Sequence, residues 1–326
     1  MDRRYLLAIA AASALAAGLS TPATAQAQTW PQRNIRFIVP LGPGSGVDIT
    51  ARLLAERLSA KWGKPVVVEN KPGGDAIVAI STFTGANDDH TFLMAPTSTF
   101  TAHPFLHEKL PYEMRDLVPI ARVSNTVIAV GVPVAAGINS VGDLIARAKA
   151  EPGKLNSASA TGANDFVVTG YLKLSGADIT RVPYRDAVQA VNDLAEDRIQ
   201  LYVAAYAIMR PQVQAGKVKL IAITNSERAP TLPDVPTVKD VGHPGLTIDG
   251  LVGLFGPRDM QRALRDRLAA DVIAAAGDPE IAAKIGATGQ IVRPSGPEEF
   301  AQAIEEQIKV ISDSAAAAGV KRMLQN

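Results

Sequence analysis

The sequence predicts an α/β protein made of two doubly wound domains, each an open sheet with helices on both faces. Three observations carry this. Short β-branched runs alternate with segments patterned at a 3.6-residue period, and this alternation occurs in two separate series. Two long apolar stretches, "VPIARVSNTVIAVGVP" (118–133) and "LTIDGLVGLFGP" (246–257), lie where the chain would cross between the series, once in each direction. Alternation of this kind predicts parallel strands. One continuous domain is the competing reading.

In the first series "IRFIV" (35–39) reads as a buried strand. Val47, Ala51, Leu54, Ala55, Leu58 and Trp62 then mark one face of a helix, ended by Gly63 and Pro65. "VVVEN" (66–70) and "TFLMA" (91–95) are the next strands. In the second series "KLNSASA" (154–160) leads to a helix over 164–175, "ITRVPY" (179–184) to one over 186–196, and "IQLYVAA" (199–205) to one over 207–215. "VKLIAIT" (218–224) closes it. Helical patterns over 258–275, 278–286 and 296–318 would pack back on the first domain. The proline-rich segment 227–245 has no period and reads as an ordered surface loop.

At 326 residues and 47% hydrophobic content the chain can bury two ordinary cores. A formal net charge of +1, with charges spread evenly, argues against nucleic acid as a partner. Arg3 and Arg4, the apolar stretch Tyr5 to Leu19 and the small-residue triplet Ala23-Thr24-Ala25 read as a cleavable secretory signal peptide over 1–25, with Ala27 as a second candidate cut. The arginine pair also admits twin-arginine export. The chain has no cysteine, which removes thiol catalysis, disulfides and a lipid-modified cysteine, and suits an oxidising exported compartment. No later run approaches the ~20 apolar residues of a membrane-spanning helix. A soluble monomer in a bacterial periplasm, not inserted in the membrane, is expected.

The loop after the first strand holds Gly42, Gly44 and Gly46, so main-chain N–H groups can converge beside a helix N-terminus. It lacks the Gly-Lys-Ser/Thr of a nucleotide P-loop, and Val47 stands where G-x-G-x-x-G needs its last glycine. A small anion such as a carboxylate fits better than a nucleotide; a bare tight turn is the alternative. Gly73-Gly74 after the second strand, Thr97 and Ser98 after the third, and "SATGAND" (159–165) share the design. All should lie at carboxyl ends of parallel strands, where open α/β sheets place ligands. Thr97, Ser98, Thr161 and Asn164 can donate without charge, or, like Asp165, serve as helix caps.

Nothing here makes a nucleophile or general base. Ser45 is not in a G-x-S-x-G elbow. His103 and His107 have helical metal spacing, but Pro104 disrupts that turn and no third ligand is nearby in sequence, so both read as surface residues. No metal and no cofactor are expected.

With these residues in place, the chain resembles the substrate-binding proteins of tripartite tricarboxylate transporters, the Bug receptors. The resemblance rests on "WPQRNIRFIVPLGPGSGVDITARLLAERL", followed in family order by "GKPVVVENKPGG", "LPYEMRDLVPIARV", "EPGKLNSAS", "VPYRDAVQAVNDL", "AGKVKLIAIT" and "APTLPDVPTVKDVG". It implies a periplasmic-binding-protein-like fold of the type II, Venus flytrap kind, with a two-strand hinge. Domain 1 would be 26–127 plus 252–326, and domain 2 would be 128–251.

It also implies a non-catalytic receptor that closes on a small carboxylate, a di- or tricarboxylate or an aromatic acid, and delivers it to membrane subunits of a secondary transporter. A sensor for a membrane kinase, or an exported hydrolase or lyase using the same cleft, are the rivals. The implied ligand positions are Leu41, Gly44, Ser45 and Gly46; Gly73, Gly74, Asp75 and Ala76; Thr97 and Ser98; Thr161, Gly162, Asn164 and Asp165; and Ala204, Ala205 and Tyr206 on the far wall. Arg185 would pair a second carboxylate or face solvent, and Tyr206 would stack on a ring or pack in the core. The sequence departs from the family pattern at Leu41, Gly42, Asn164, Ala204 and Leu251-Val252. Ala204 replaces an acid able to pair with a ligand amine, which disfavours an amino-acid ligand unless Asp75 or Asp165 substitutes.

Overall fold

In the computed structural model, which describes residues 30–323 apart from Ala160, Thr161 and Arg185, strand β1 (Ile35–Val39) runs into helix α1 (Gly46–Trp62). The signal-peptide segment lies outside the described residues. Arg33–Asn326 forms one unit containing both sheets. Helix α1 starts where Ser45 Oγ accepts from the Asp48 N–H and stops at Gly63, whose φ of 66° continues no right-handed helix. All six residues of its predicted face are buried. Trp62 at its last turn donates to Asp271 at 2.7 Å.

The chain continues through β2 (Val66–Asn70), α2 (Ile77–Ala86), β3 (Thr91–Pro96), the short helices α3 (Ser98–Thr101) and α4 (His103–Leu106), and β4 (Val118–Thr126). Then come β5 (Ile128–Pro133), α5 (Val141–Ala150), β6 (Leu155–Ser159), α6 (Ala163–Ser175), β7 (Ile179–Pro183), α7 (Ala187–Ala195), β8 (Tyr202–Ala205), α8 (Tyr206–Gln214) and β9 (Val218–Ile223). The chain closes with β10 (Gly250–Gly256), α9 (Arg262–Ala276), α10 (Pro279–Gly286), β11 (Gln290–Ser295) and α11 (Pro297–Ala318). Helices α2 and α5 and strand β11 add to the elements expected from the pattern.

One sheet has the order β11–β4–β10–β3–β1–β2, and a second has β8–β5–β9. A parallel bridge from Ser157 to Leu201 sets the β6–β7 pair beside the second. The expectation of parallel sheets is corrected here: both are mixed. Strands β1, β2 and β3 are parallel, but β10 is antiparallel to β3 and β4. In the second sheet β5 is antiparallel to both β8 and β9.

The reason is topological. Strand β5 arrives from the first sheet and β10 returns from the second, so each enters a sheet that already has its own strand direction. Ile128 at the start of β5 pairs with Ala205 at the end of β8, and Val252 near the start of β10 pairs with Pro96 at the end of β3. Each crossing strand therefore enters at the carboxyl edge of its neighbours and must run against them. The carboxyl edges of both sheets meet at the crossings.

Those crossings bury backbone that must be satisfied. Fully buried Asn225 receives the Ile128 N–H on its carbonyl oxygen at 2.9 Å and donates to the Thr126 carbonyl at 2.9 Å. The Val127 N–H between them donates to the Gly289 carbonyl. In the return crossing, the Ile248 N–H donates to the Thr224 carbonyl, the Thr224 hydroxyl donates back to the Ile248 carbonyl, and the Thr224 N–H donates to the Ile128 carbonyl of the first crossing.

Each sheet has its own apolar cluster, with Phe100, Phe255 and Phe300 stacked in the first and Val130, Val132, Leu144 and Ile221 in the second. A further cluster joins the two sides. Phe105 of α4 meets Phe166 of α6 at 5.6 Å, over Ile311 and Ala315 of α11. Gly170 of α6 lies so close to α11 that a Cβ there would come within 2.4 Å of the Ser314 carbonyl oxygen.

Replacing Asn225 by Ala strands one buried acceptor and one buried donor in the first crossing. The expected loss is about 3 kcal/mol of unfolding free energy, measured by urea denaturation. A loss below 0.5 kcal/mol would remove Asn225 from this role.

Candidate functional site: the facing carboxyl edges

The first glycine loop is braced from beneath. Asp48, 2% exposed, accepts the Gly44 N–H at 2.8 Å, the Asn70 side-chain N–H at 2.8 Å and the Arg52 guanidinium. Asn70 also donates to the Leu41 carbonyl. Burial alone would raise the Asp48 pKa; the bonds from Arg52, Gly44 and Asn70 outweigh it and hold the carboxyl below its ordinary range. So Gly44, at φ 84°, gives its N–H to Asp48 and the Ser45 hydroxyl accepts at the helix start, and both hold the loop in shape. The loop N–H groups left without an acceptor among the described residues include those of Gly46 and Val47, which lead α1. Gly46 is required by a close neighbour: a Cβ there would lie 2.9 Å from the Gln290 side chain and 3.3 Å from the Thr288 carbonyl oxygen.

The second loop is a run of left-handed residues, with φ of 103° at Gly73, 56° at Gly74, 52° at Asp75 and 67° at Ala76. The last two carry a Cβ, so the turn holds strain of about 1–2 kcal/mol at each. His103 stabilises it by donating from Nε2 to the Asp75 carbonyl at 2.8 Å, while its Nδ1 faces the Tyr112 hydroxyl at 2.5 Å. The same imidazole is the chief reason the Asp75 carboxyl lies below its ordinary range; burial opposes it.

The reading of His103 and His107 as surface residues is corrected. His103 is fully buried and His107 is half-buried. Pro104 falls in the first turn of α4, where it removes no intrahelical bond, and the His107 N–H still reaches the His103 carbonyl. A third ligand-type group does lie nearby, namely Asp75.

After β3, Thr97 is fully buried and its hydroxyl donates to Gln307 Oε1 at 2.6 Å. Gln307 donates in turn to the Asp249 carbonyl. Thr97 therefore ties α11 to the return crossing and does not face a ligand. Ser98 stays half-buried at the loop surface.

In the second sheet, Gly162, at φ 112°, precedes α6, and a Cβ there would lie 3.9 Å from the Ser98 carbonyl oxygen. Asn164 is half-buried in the first turn of α6 and not at its cap. Asp165 pairs with Arg181. Thr161 and Arg185 lie outside the described residues.

Ala204 is buried in the core of the second sheet, whereas Ala205 and Tyr206 are half-buried at its edge. The Tyr206 N–H donates to the Val127 carbonyl in the first crossing. Its ring packs partly on the core and lies 3.6 Å from where a Cβ on Gly289 would stand. The edges thus approach each other at two places, where a Cβ on Gly162 would reach the Ser98 carbonyl oxygen and one on Gly289 would reach the Tyr206 ring.

Thr288, Gly289 and Gln290 were missed from sequence. Gly289 at φ 83° was the available signal, but it follows a helix rather than a strand. A cavity of about 360 Å³ lined by Arg122, Asp249, Arg293 and Gln307 adjoins the crossings, and none of the strand-end loops lines it.

Asp48 gives a pH-dependent test. Its folded pKa is lowered, so its contribution is present above the unfolded value near 4 and lost as pH falls through the folded value. The D48N variant is expected to be about 2–3 kcal/mol less stable than wild type at pH 7, with the gap closing below about pH 4. A gap independent of pH from 7 to 2.5 in denaturant titrations would contradict this.

The sequence profile of the "Tripartite tricarboxylate transporter family receptor" matches residues 50–315. BugT of Bordetella pertussis is 30% identical over 263 residues, covering 79% of this chain and 80% of BugT. Two structures from Rhodopseudomonas palustris superpose on the fold. Rpa4515 with adipate is 26% identical with a TM-score of 0.76, over 90% of this chain and 99% of that one. MatC with bound malate is 26% identical with a TM-score of 0.72, over 87% and 99%. Among the described residues no helix is long and apolar enough to cross a membrane. A profile match across most of the chain, on a fold shared with these proteins, means that the chain belongs to the tripartite tricarboxylate transporter receptor family, the Bug receptors, which are periplasmic solute-binding proteins.

Proposed function

We propose that this protein is a periplasmic receptor that captures a small dicarboxylate between its two sheets and delivers it, unaltered, to the membrane subunits of a secondary transporter. The observation that carries the reading is the approach of two carboxyl edges at the crossings, with only the room of one side chain between Gly162 and Ser98 and between Gly289 and Tyr206. Adipate in Rpa4515 and malate in MatC support a dicarboxylate as the ligand class.

One carboxylate would take the N–H groups of Gly46 and Val47 at the positive end of α1. The backbone of Gly73 to Ala76, with Ser98, would close around it. The second carboxylate would face Gly162, Asn164, Ala205 and Tyr206. Charge-assisted bonds of about 1.5–3 kcal/mol each suffice for such a site without a paired cation. The two lobes, 26–127 plus 252–326 and 128–251, would close about the crossings after the signal peptide is removed in the periplasm. Asp48, Asp75 and Asp165 each have cationic or imidazole partners and stabilise structure, which favours capture over catalysis.

Titration calorimetry with adipate and malate tests this. At least one should bind with a micromolar or tighter Kd, about −8 kcal/mol. Gly162→Leu, which fills the gap to Ser98, should weaken binding at least tenfold while the circular dichroism spectrum is kept. Absence of binding by any C4–C6 dicarboxylate at millimolar concentration would overturn the proposal, as would formation of a product from a bound one.

A further inference from the structure

We propose that Asp75, His103 and His107 form a binding site for a divalent transition metal of the zinc class. The inference is independent of the carboxylate reading. One donor atom from each residue lies within 4.8 Å of the other two. Asp75 Oδ2 is 3.5 Å from Nε2 of His103 and 3.5 Å from Nε2 of His107. Ligands on a tetrahedral ion with bonds of about 2.1 Å stand about 3.4 Å apart, so both carboxylate–imidazole edges already have the spacing of a coordination sphere.

A second observation points to a missing partner. His107 Nε2 is sealed from solvent and makes no hydrogen bond, although Asp75 Oδ2 is its neighbour. A buried ring nitrogen whose one polar neighbour is a carboxylate at 3.5 Å is poorly satisfied, and a metal ion between the two would satisfy both.

The surroundings of His103 fit a ligand. Its ring is fixed by the Tyr112 hydroxyl 2.5 Å from Nδ1, the outer hydrogen bond that metal-bound imidazoles require. On binding, Nε2 would exchange its 2.8 Å bond to the Asp75 carbonyl for the ion, and the ring proton would reside on Nδ1, donated to the Tyr112 oxygen. The two imidazole rings stand edge to face at 5.1 Å. The left-handed run at Gly73 to Ala76 turns Asp75 toward them.

Two imidazoles and one carboxylate suit zinc, nickel or cobalt, whereas calcium and magnesium prefer oxygen. The Asp75 side chain is partly exposed, so the ion has access from solvent and a coordination position left for water or an anion. The bound ion would pin the second glycine loop to the helix after β3.

The test uses the full mature chain, without a histidine tag and stripped with chelator. Zinc titration by calorimetry should give one site per chain, and cobalt should give the visible absorption of a four- or five-coordinate ion. His107→Ala and Asp75→Asn should each weaken zinc binding at least tenfold, and Tyr112→Phe should weaken it by about 10–100-fold through His103. Circular dichroism checks that each variant is folded. His107→Ala alters a half-buried side chain and keeps the test valid should changes at Asp75 or Tyr112 disturb folding. No zinc binding by wild type at 100-fold excess, or binding unchanged in folded His107→Ala, would overturn the proposal.

Discussion

The whole arrangement depends on where two strands cross. Strands β5 and β10 each enter a sheet from the other side, and each enters at the carboxyl edge. Had either entered at the amino edge, it would run parallel to its neighbours and the ligand-type loops of the two sheets would face away from each other. Buried backbone in the joint limits how it can be built, because the Thr126 carbonyl and the Ile128 N–H, flanking Val127 in the chain, need a donor and an acceptor at one place. One side chain with both a donor and an acceptor, Asn225, answers both. An aspartate or leucine of similar size could not. The site is thus a consequence of strand direction before it is a matter of loop sequence.

The loops then handle charge economically. Asp48 places a carboxylate at the start of α1, where an anionic ligand would also go, and Arg52 and Asn70 neutralise and hold it. The carboxylate fixes the loop in shape and leaves the two leading N–H groups as the donors. The second loop reaches rigidity differently, through four left-handed residues and a buried imidazole. In both loops the residues that touch the core fix the backbone.

What could be read from sequence was what local pattern determines. The face of α1, the strands 35–39 and 66–70, and the helices after β6, β7 and β8 follow from periodicity within a few residues. Helix α2 was illegible because "IVAISTFTGA" has no polar face to set a period. Strand β11 was hidden by Arg293-Pro294, which reads as a turn and is tolerated because β11 is an edge strand. Mixed strand direction could not be seen locally, since it is set by which edge a distant strand enters. The site was legible as a set of loops, not as roles: Thr97 and Ser98 look alike in sequence, yet one is bonded to Gln307 and the other remains at the surface. Asp75 and His103 are separated by 28 residues, and only the turn after β2 joins them.

The crossings are not the sole attachment between the sides. Helix α11 begins with Phe300 and Ile304 in the first core and ends with Ile311 and Ala315 against α6. With Gly170 in near-contact with the Ser314 backbone, that packing has no slack. A rotation that breaks neither attachment must turn about the line joining them. Ser98 follows β3, next to the crossing strand β10, so it lies close to that line; Gly73 to Ala76 follow β2, two strands further out. At about 4.8 Å per strand the second glycine loop is roughly 14 Å from β10. Displacement in such a rotation grows with distance from the axis, so the Asp75 loop would be the part of the first sheet to travel furthest. The turn at that position is the one braced by a buried imidazole, so its backbone would keep its shape through such a rotation.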